Sequence, residues 1–152
     1  MRKPLAIGAA TLAVALSLGL AACGSSDDSS DNGDVLTNAE LVSKADAICT
    51  KYSDKLSKIQ KDSGLNAQST AADVTAFISD DIVPLYKDQI DELRTLQPND
   101  DDADSYNAVI DTLESELKVV EDDPEGSLKS QDPFAEASKK AKDFGLESCG
   151  SN

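Results

Sequence analysis

After residue 36 the apolar residues recur at intervals of three and four and nowhere alternate with polar ones, a pattern that builds helices and leaves no material for a sheet. Leu41, Ala45, Ile48, Tyr52, Leu56 and Ile59 mark the first stripe, with Val42 and Cys49 beside it. Ahead of it, Thr37-Asn38-Ala39-Glu40 has the T-x-x-E spacing of a capping box, in which the hydroxyl and the carboxylate satisfy unpaired amides of the first turn. Ser63-Gly64 ends the segment. Thr70-Ala71-Ala72-Asp73 opens a second helix, whose stripe of Val74, Phe77, Ile78, Ile82, Leu85, Ile90, Leu93 and Leu96 runs to Gln97-Pro98. Pro84 lies inside it, and a proline removes one backbone bond and crowds the preceding turn. A kink near Asp80-Asp81 is expected, with a break into two helices as the alternative. A third helix follows an acidic loop over residues 99–102, with Ala103, Tyr106, Val109, Ile110, Leu113, Leu117 and Val120 on one face, and stops at Asp122-Asp123-Pro124. In the last segment Asp132 is expected to cap a short helix with Pro133 at its first position. There Phe134, Ala137, Ala141 and Phe144 face inward, and Gly145-Leu146 forms a left-handed cap. Four amphipathic helices with short links predict an all-α fold, an up-down-up-down four-helix bundle over residues 37–150. With no Trp, three Phe and three Tyr in the chain, its core must be mainly aliphatic.

The residues ahead of the helices are of two other kinds. Arg2 and Lys3 precede an uncharged apolar stretch over residues 5–20, too short for a membrane span of about 20 residues, and small residues close it. This reads as an export signal over residues 1–22. Its end, Leu20-Ala21-Ala22-Cys23, resembles the lipobox of bacterial lipoproteins. The resemblance implies that Cys23 takes a thioether-linked diacylglycerol, becomes the first mature residue, and holds the protein on the outer face of the cell membrane. Residues 24–34 are Gly, Ser, Asn and Asp alone and can bury nothing, so residues 23–36 are expected to form a disordered acidic tether. A coil of about a dozen residues spans roughly 20 Å, enough to lift a domain off a membrane without fixing its orientation.

The chain has three cysteines. If Cys23 is lipidated, Cys49 and Cys149 are left in an oxidising compartment, where a disulfide is the expected state. The bundle topology sets the end of the fourth helix beside the first half of helix one, within reach of that pairing. Two free thiols acting as metal ligands or as a nucleophile are the competing reading; neither cysteine sits in a CxxC, and no histidine exists to assist them. Ala45-Asp46-Ala47-Ile48-Cys49, Leu96-Gln97-Pro98 and Phe144-Gly145-Leu146-Glu147-Ser148-Cys149-Gly150, in this order and spacing, resemble a group of small secreted helical lipoproteins of high-GC Gram-positive bacteria. The resemblance covers roughly residues 36–150. It implies location, fold and the cysteine pair, and brings no functional site with it.

Charge and composition narrow the function classes. Loss of residues 1–22 removes Arg2 and Lys3 but no acid, leaving 12 basic against 29 acidic residues, a net of −17. That excess repels phosphate backbones and anionic headgroups, so nucleic acid is no partner and contact with the membrane is expected through the lipid anchor only. Ser-His-Asp and Cys-His catalysis both need a histidine, which the sequence lacks, and no Gly-rich phosphate loop or G-x-S-x-G occurs. Carboxylate pairs for glycoside hydrolysis are available among the acids, but aromatic sugar platforms are scarce. Haem would find only tyrosines as ligands once the cysteines pair and Met1 leaves. One calcium-like spacing stands out: Asp100, Asp102, Asp104 and Asp111 fall at positions 1, 3, 5 and 12 of an EF-hand loop. Ser105 occupies the position that needs glycine, and a helix begins inside the loop, so an acidic helix start is preferred to a metal site. No metal, no cofactor and no enzyme activity are expected. The sequence points to a cell-surface lipoprotein with a non-catalytic binding or structural role, its partner a protein or polymer of the cell envelope. The alternative is a carrier whose bundle core opens near Pro84 to hold a small apolar ligand.

Overall fold

Helix starts in this chain are set by short polar side chains that replace missing backbone partners. The computed structural model describes residues 35–130 and 132–151. The expected signal peptide, Cys23 and tether residues up to 34 lie outside the described residues. Helix α1 (Asn38–Asp62) opens on the Thr37–Glu40 capping box, with Thr37 N–H donating to Glu40 Oε2 at 3.0 Å and Glu40 N–H to Thr37 Oγ1 at 3.4 Å. Helix α2 (Ala71–Phe77) repeats the device with Thr70 and Asp73. It continues through a π-helical segment, Ile78–Ile82, into α3 (Val83–Arg94). Helix α4 (Asp100–Asp122) is capped by Asn99, whose Oδ1 accepts from Asp101 N–H at 2.9 Å and Asp102 N–H at 3.1 Å. The acids expected in a loop thus form the first turn, where the helix dipole favours them. A four-residue turn, α5 (Pro124–Ser127), and α6 (Ala135–Phe144) complete the fold. No strand occurs among the described residues; Leu36 and Pro98 form an isolated bridge.

The segment around Pro84 neither breaks nor continues as ordinary α-helix. Pro84 has no N–H for the carbonyl four residues back, and its ring would press on that carbonyl. The chain widens before it: Val83 N–H donates to Ile78 O, an i to i−5 bond of the π type, so the helix passes Asp80 and Asp81 without interruption. The extra residue in the turn rotates everything after it by about one helical step of 100°. Val83 and Tyr86, outside the stripe read from the sequence, are buried as a result, while Val74, Phe77, Ile78 and Ile82 are only half-buried.

The core is built from α1 (Leu41, Ala45, Ile48, Tyr52), α3 (Leu85, Tyr86, Ile90, Leu93) and α4 (Tyr106, Val109, Ile110, Leu113, Leu117, Val120). Helix α6 adds Ala137 and Ala141, and Phe134 and Leu146 close it from either side. Helix α3 packs on both α1 and α4, and α4 packs on α6. Tyr106 is buried among these helices and donates its hydroxyl to Leu93 O at 2.9 Å. Gly145 ends α6 at φ 102°, a left-handed conformation that favours glycine, and Leu146 N–H then donates to Ala141 O. The cap and its buried leucine match the sequence reading.

Two expectations at the ends of elements are corrected. Asp132 does not cap α6: its Oδ1 accepts from Phe134 N–H at 3.0 Å, closing a turn before the helix, and Ala135 is the first helical residue. The first-turn amides of Glu136 and Ala137 donate to the carboxylate of Glu116 on α4, at 3.1 and 3.0 Å. A neighbouring helix supplies the cap. Leu36, placed by the sequence at the end of the tether, is buried and donates its N–H to Gln97 O at 2.7 Å. It belongs with the folded part.

Candidate functional site

The sulfur atoms of Cys49 and Cys149 are bonded at 1.99 Å, with Cα atoms 5.1 Å apart. Cys49 lies on the inward stripe of α1 and is buried; Gln89 Nε2 on α3 donates to its sulfur at 3.3 Å. Beside it, Ser148 N–H donates to Asp46 Oδ1 at 2.9 Å, so α1 holds the C-terminal segment by a covalent and a polar contact on adjacent turns. A bonded pair of sulfurs is neither nucleophile nor metal ligand, and the pair is structural. The lipidation residue Cys23 lies outside the described residues.

The calcium-like set is not assembled as a loop. Asp100, Asp102 and Asp104 are in the first turns of α4, and Asp111 lies two turns further on, bonded to Arg94 at 3.0 Å. Arg94 also pairs with Glu114. Asp102 instead accepts from Asn38 Nδ2 at 2.9 Å and from Asn99 Nδ2 at 2.6 Å, joining the starts of α1 and α4. Among the described residues no group of three or more His, Cys, Asp or Glu could hold a metal ion.

Inside the packed core a void of about 20 Å³ lies between Cys49, Gln89, Tyr106 and Ser138. Ser138 Oγ is, among the described residues, the one buried side-chain oxygen or nitrogen without a partner. This volume admits nothing larger than a water molecule.

The larger feature was not foreseen from sequence. A groove of about 740 Å³ opens beside the π turn. Its floor is the second half of α1 at Ser53, Leu56 and Gln60; one wall is Val74, Phe77, Ile78 and Ile82; the other is the segment between α4 and α6, with Leu128 and Pro133. Tyr86 and Phe134 close one end, their rings stacked at 4.6 Å and 20°. Helix α2 and the π segment contain no buried residue, although they carry four large apolar side chains. Leu128 is 44% exposed. The apolar stripe that packs elsewhere in the fold is left partly open here. The clue in the sequence was Pro84, which marked a disturbed helix, together with Leu65 and Leu128, apolar residues in turns outside every stripe.

The charge of the groove is one-sided. Asp132 is the sole charged residue among the described residues that line it. Tyr86 is 7% exposed, and its phenol is held above the usual value by burial and then by the charge of Asp132. Its hydroxyl makes no hydrogen bond among the described residues, yet it is not among the buried atoms without a partner. Where α1 packs on α3, the phenol of Tyr52 is pushed up to about 12 by burial and by the neighbouring Glu92, and Lys55 Nζ lies 4.1 Å from its ring centroid. That cluster packs α1 against α3 and does not face the groove.

No protein-family model, no curated protein and no solved structure matches the chain. Among the described residues, no helix is long and apolar enough to cross a membrane.

Proposed function

We propose that this chain is an exported lipoprotein, anchored by lipid on Cys23 to the outer face of the cell membrane, and that its folded part is a non-catalytic binding domain of the cell envelope. In this reading the helices form an up-down-up-down bundle bent at the π turn, residues 1–22 are removed, and the residues behind Cys23 act as tether. The groove beside the π turn is the binding surface, and its open apolar wall is the observation that carries the proposal. Concave clefts of this size, apolar along their walls with a few polar groups, are the usual form of a ligand site. The position of the groove suits the anchor. Leu36, where the tether enters, lies at the start of α1, and Leu56 lies roughly 27 Å further along the same helix at 1.5 Å per residue. The net charge of −17 opposes contact with anionic headgroups, so the acyl chains alone hold the protein.

The carrier reading keeps a place here with its site moved. The core void of about 20 Å³ holds no metabolite, whereas the groove falls within the 300–1,000 Å³ usual for small-ligand pockets. The test is a photo-activated cross-linking residue at Leu128 in the intact producing cell, compared with one at Glu114 on the exposed side of α4. The proposal expects an adduct of defined mass from position 128 and none from position 114. No adduct at 128, or the same products at both positions, would overturn the groove as binding surface.

A further inference from the structure

We propose that the groove takes one amphiphile, an apolar chain with a cationic, hydrogen-bond-donating head, and that the head sits between the Asp132 carboxylate and the Tyr86 hydroxyl. The inference rests on the groove being the binding surface and specifies what fills it. Three observations select this chemistry. The walls, Leu56, Phe77, Ile78, Ile82 and Leu128, are aliphatic or aromatic and only partly covered, so the body of the ligand must be apolar. No lysine or arginine lines the groove among the described residues, and its one charge is negative, so an anionic head would meet a like charge and no opposite one there. Lastly, the Tyr86 hydroxyl has no protein partner among the described residues, although its ring is fixed against Phe134. Tyr86 and Asp132 line the same groove, and a phenol oxygen together with a carboxylate offers two acceptors to an ammonium group, which has donors to spare. The net charge of −17 adds a long-range attraction for the same sign of ligand.

The volume favours a small molecule over a macromolecule. About 740 Å³ matches a drug- or lipid-sized ligand, whereas a stable protein partner covers roughly 800 Å² on each side, well beyond the cleft itself.

The experiment uses the soluble chain from residue 24 onward, which contains all the described residues, 35–130 and 132–151. Dodecylamine, dodecanol and dodecanoate share one chain length and differ in the head. Each is titrated below its micelle concentration at physiological salt, by calorimetry and by amide shift changes. The proposal expects one dodecylamine per chain, bound at least tenfold more tightly than dodecanoate, with the largest shifts at Leu56, Ile78, Ile82 and Tyr86. Asp132→Asn is expected to erase that preference while leaving dodecanol affinity unchanged. Asp104→Asn, which removes an equal charge from the exposed start of α4, is expected to keep it. Tyr86→Phe retains the ring stack and should weaken the amine and the alcohol alike, by about threefold to tenfold. Equal binding of amine and carboxylate, or a preference that survives Asp132→Asn, would overturn the proposal. Absence of binding by all three compounds, with a protein or polymer adduct at position 128 in cells, would overturn it in favour of a macromolecular partner and leave the groove reading intact. Absence of that adduct as well would remove both.

Discussion

Replacing Cys49 and Cys149 together by alanine removes a cross-link spanning 100 positions of sequence. In the loop-entropy account, releasing a loop of that size frees the unfolded chain by about 4–5 kcal/mol. The native state has little to lose beyond the bond. Leu146 stays buried at the end of α6, Ser148 keeps its hydrogen bond to Asp46, and Gly150 sits buried beside Ser138. One local cost adds to the total. Gln89 Nε2 loses its sulfur acceptor in a buried position, worth about 1 kcal/mol. The double variant should therefore keep its far-ultraviolet circular dichroism while its midpoint falls by roughly 20–24 °C, at about 4 °C per kcal/mol for a domain of this size. Urea unfolding should show a steeper slope, because the unlinked chain exposes more surface when unfolded. A loss below about 1 kcal/mol would refute the entropic argument, and a loss of helix at 20 °C would show that the bond holds the native state itself.

Three further outcomes are expected. Glu116→Ala should destabilise the domain by about 1–2 kcal/mol and speed amide exchange at Glu136 and Ala137, whose donors it leaves unpaired; unchanged exchange there would rule out the cap. The capping carboxyls should weaken in acid. Hydrogen bonds from Thr37 hold Glu40 below its ordinary 4.5, and those from Thr70 hold Asp73 below 3.8. Because the folded values are the lower ones, their contribution is complete above those ordinary values and fades as pH falls through the depressed ones. Carbon-detected titration of both carboxyls should show this, and ordinary midpoints would contradict it. Cys23→Ser should move the protein from the membrane fraction to the medium or leave an unprocessed precursor; a wild-type chain already soluble and beginning elsewhere would end the anchor reading.

What could be read from the sequence was local or countable. Thr37 with Glu40, Thr70 with Asp73, and Gly145 with Leu146 act within one or two turns, so their spacing carries their geometry. The Cys49–Cys149 pair followed from a count once Cys23 was assigned to lipid, and the bond is there. The apolar face of α4 holds for the same local reason, since nothing in its 23 residues disturbs a 3.6-residue period. The misses are non-local. Glu116 caps a helix 20 residues away, a partnership no spacing announces, and it displaced Asp132 from that role. Pro84 signalled a disturbance, but whether a helix answers by bending, breaking or widening depends on what packs against it. Widening moved Val83 and Tyr86 into the core. The groove follows from that change of phase and from the chain between α4 and α6 crossing opposite α2, which a stripe of Val74, Phe77, Ile78 and Ile82 cannot foretell.

The central claim is that the open wall formed by α2 and the π segment is covered in the cell. Amide exchange over residues 74–82, measured in parallel on the lipoprotein in its own membranes and on the purified soluble chain from residue 24 onward, tests it most directly. The account predicts exchange at least tenfold slower over those residues in the membrane preparation, with equal rates over the exposed face of α4. Equal rates over residues 74–82 in the two samples would contradict it.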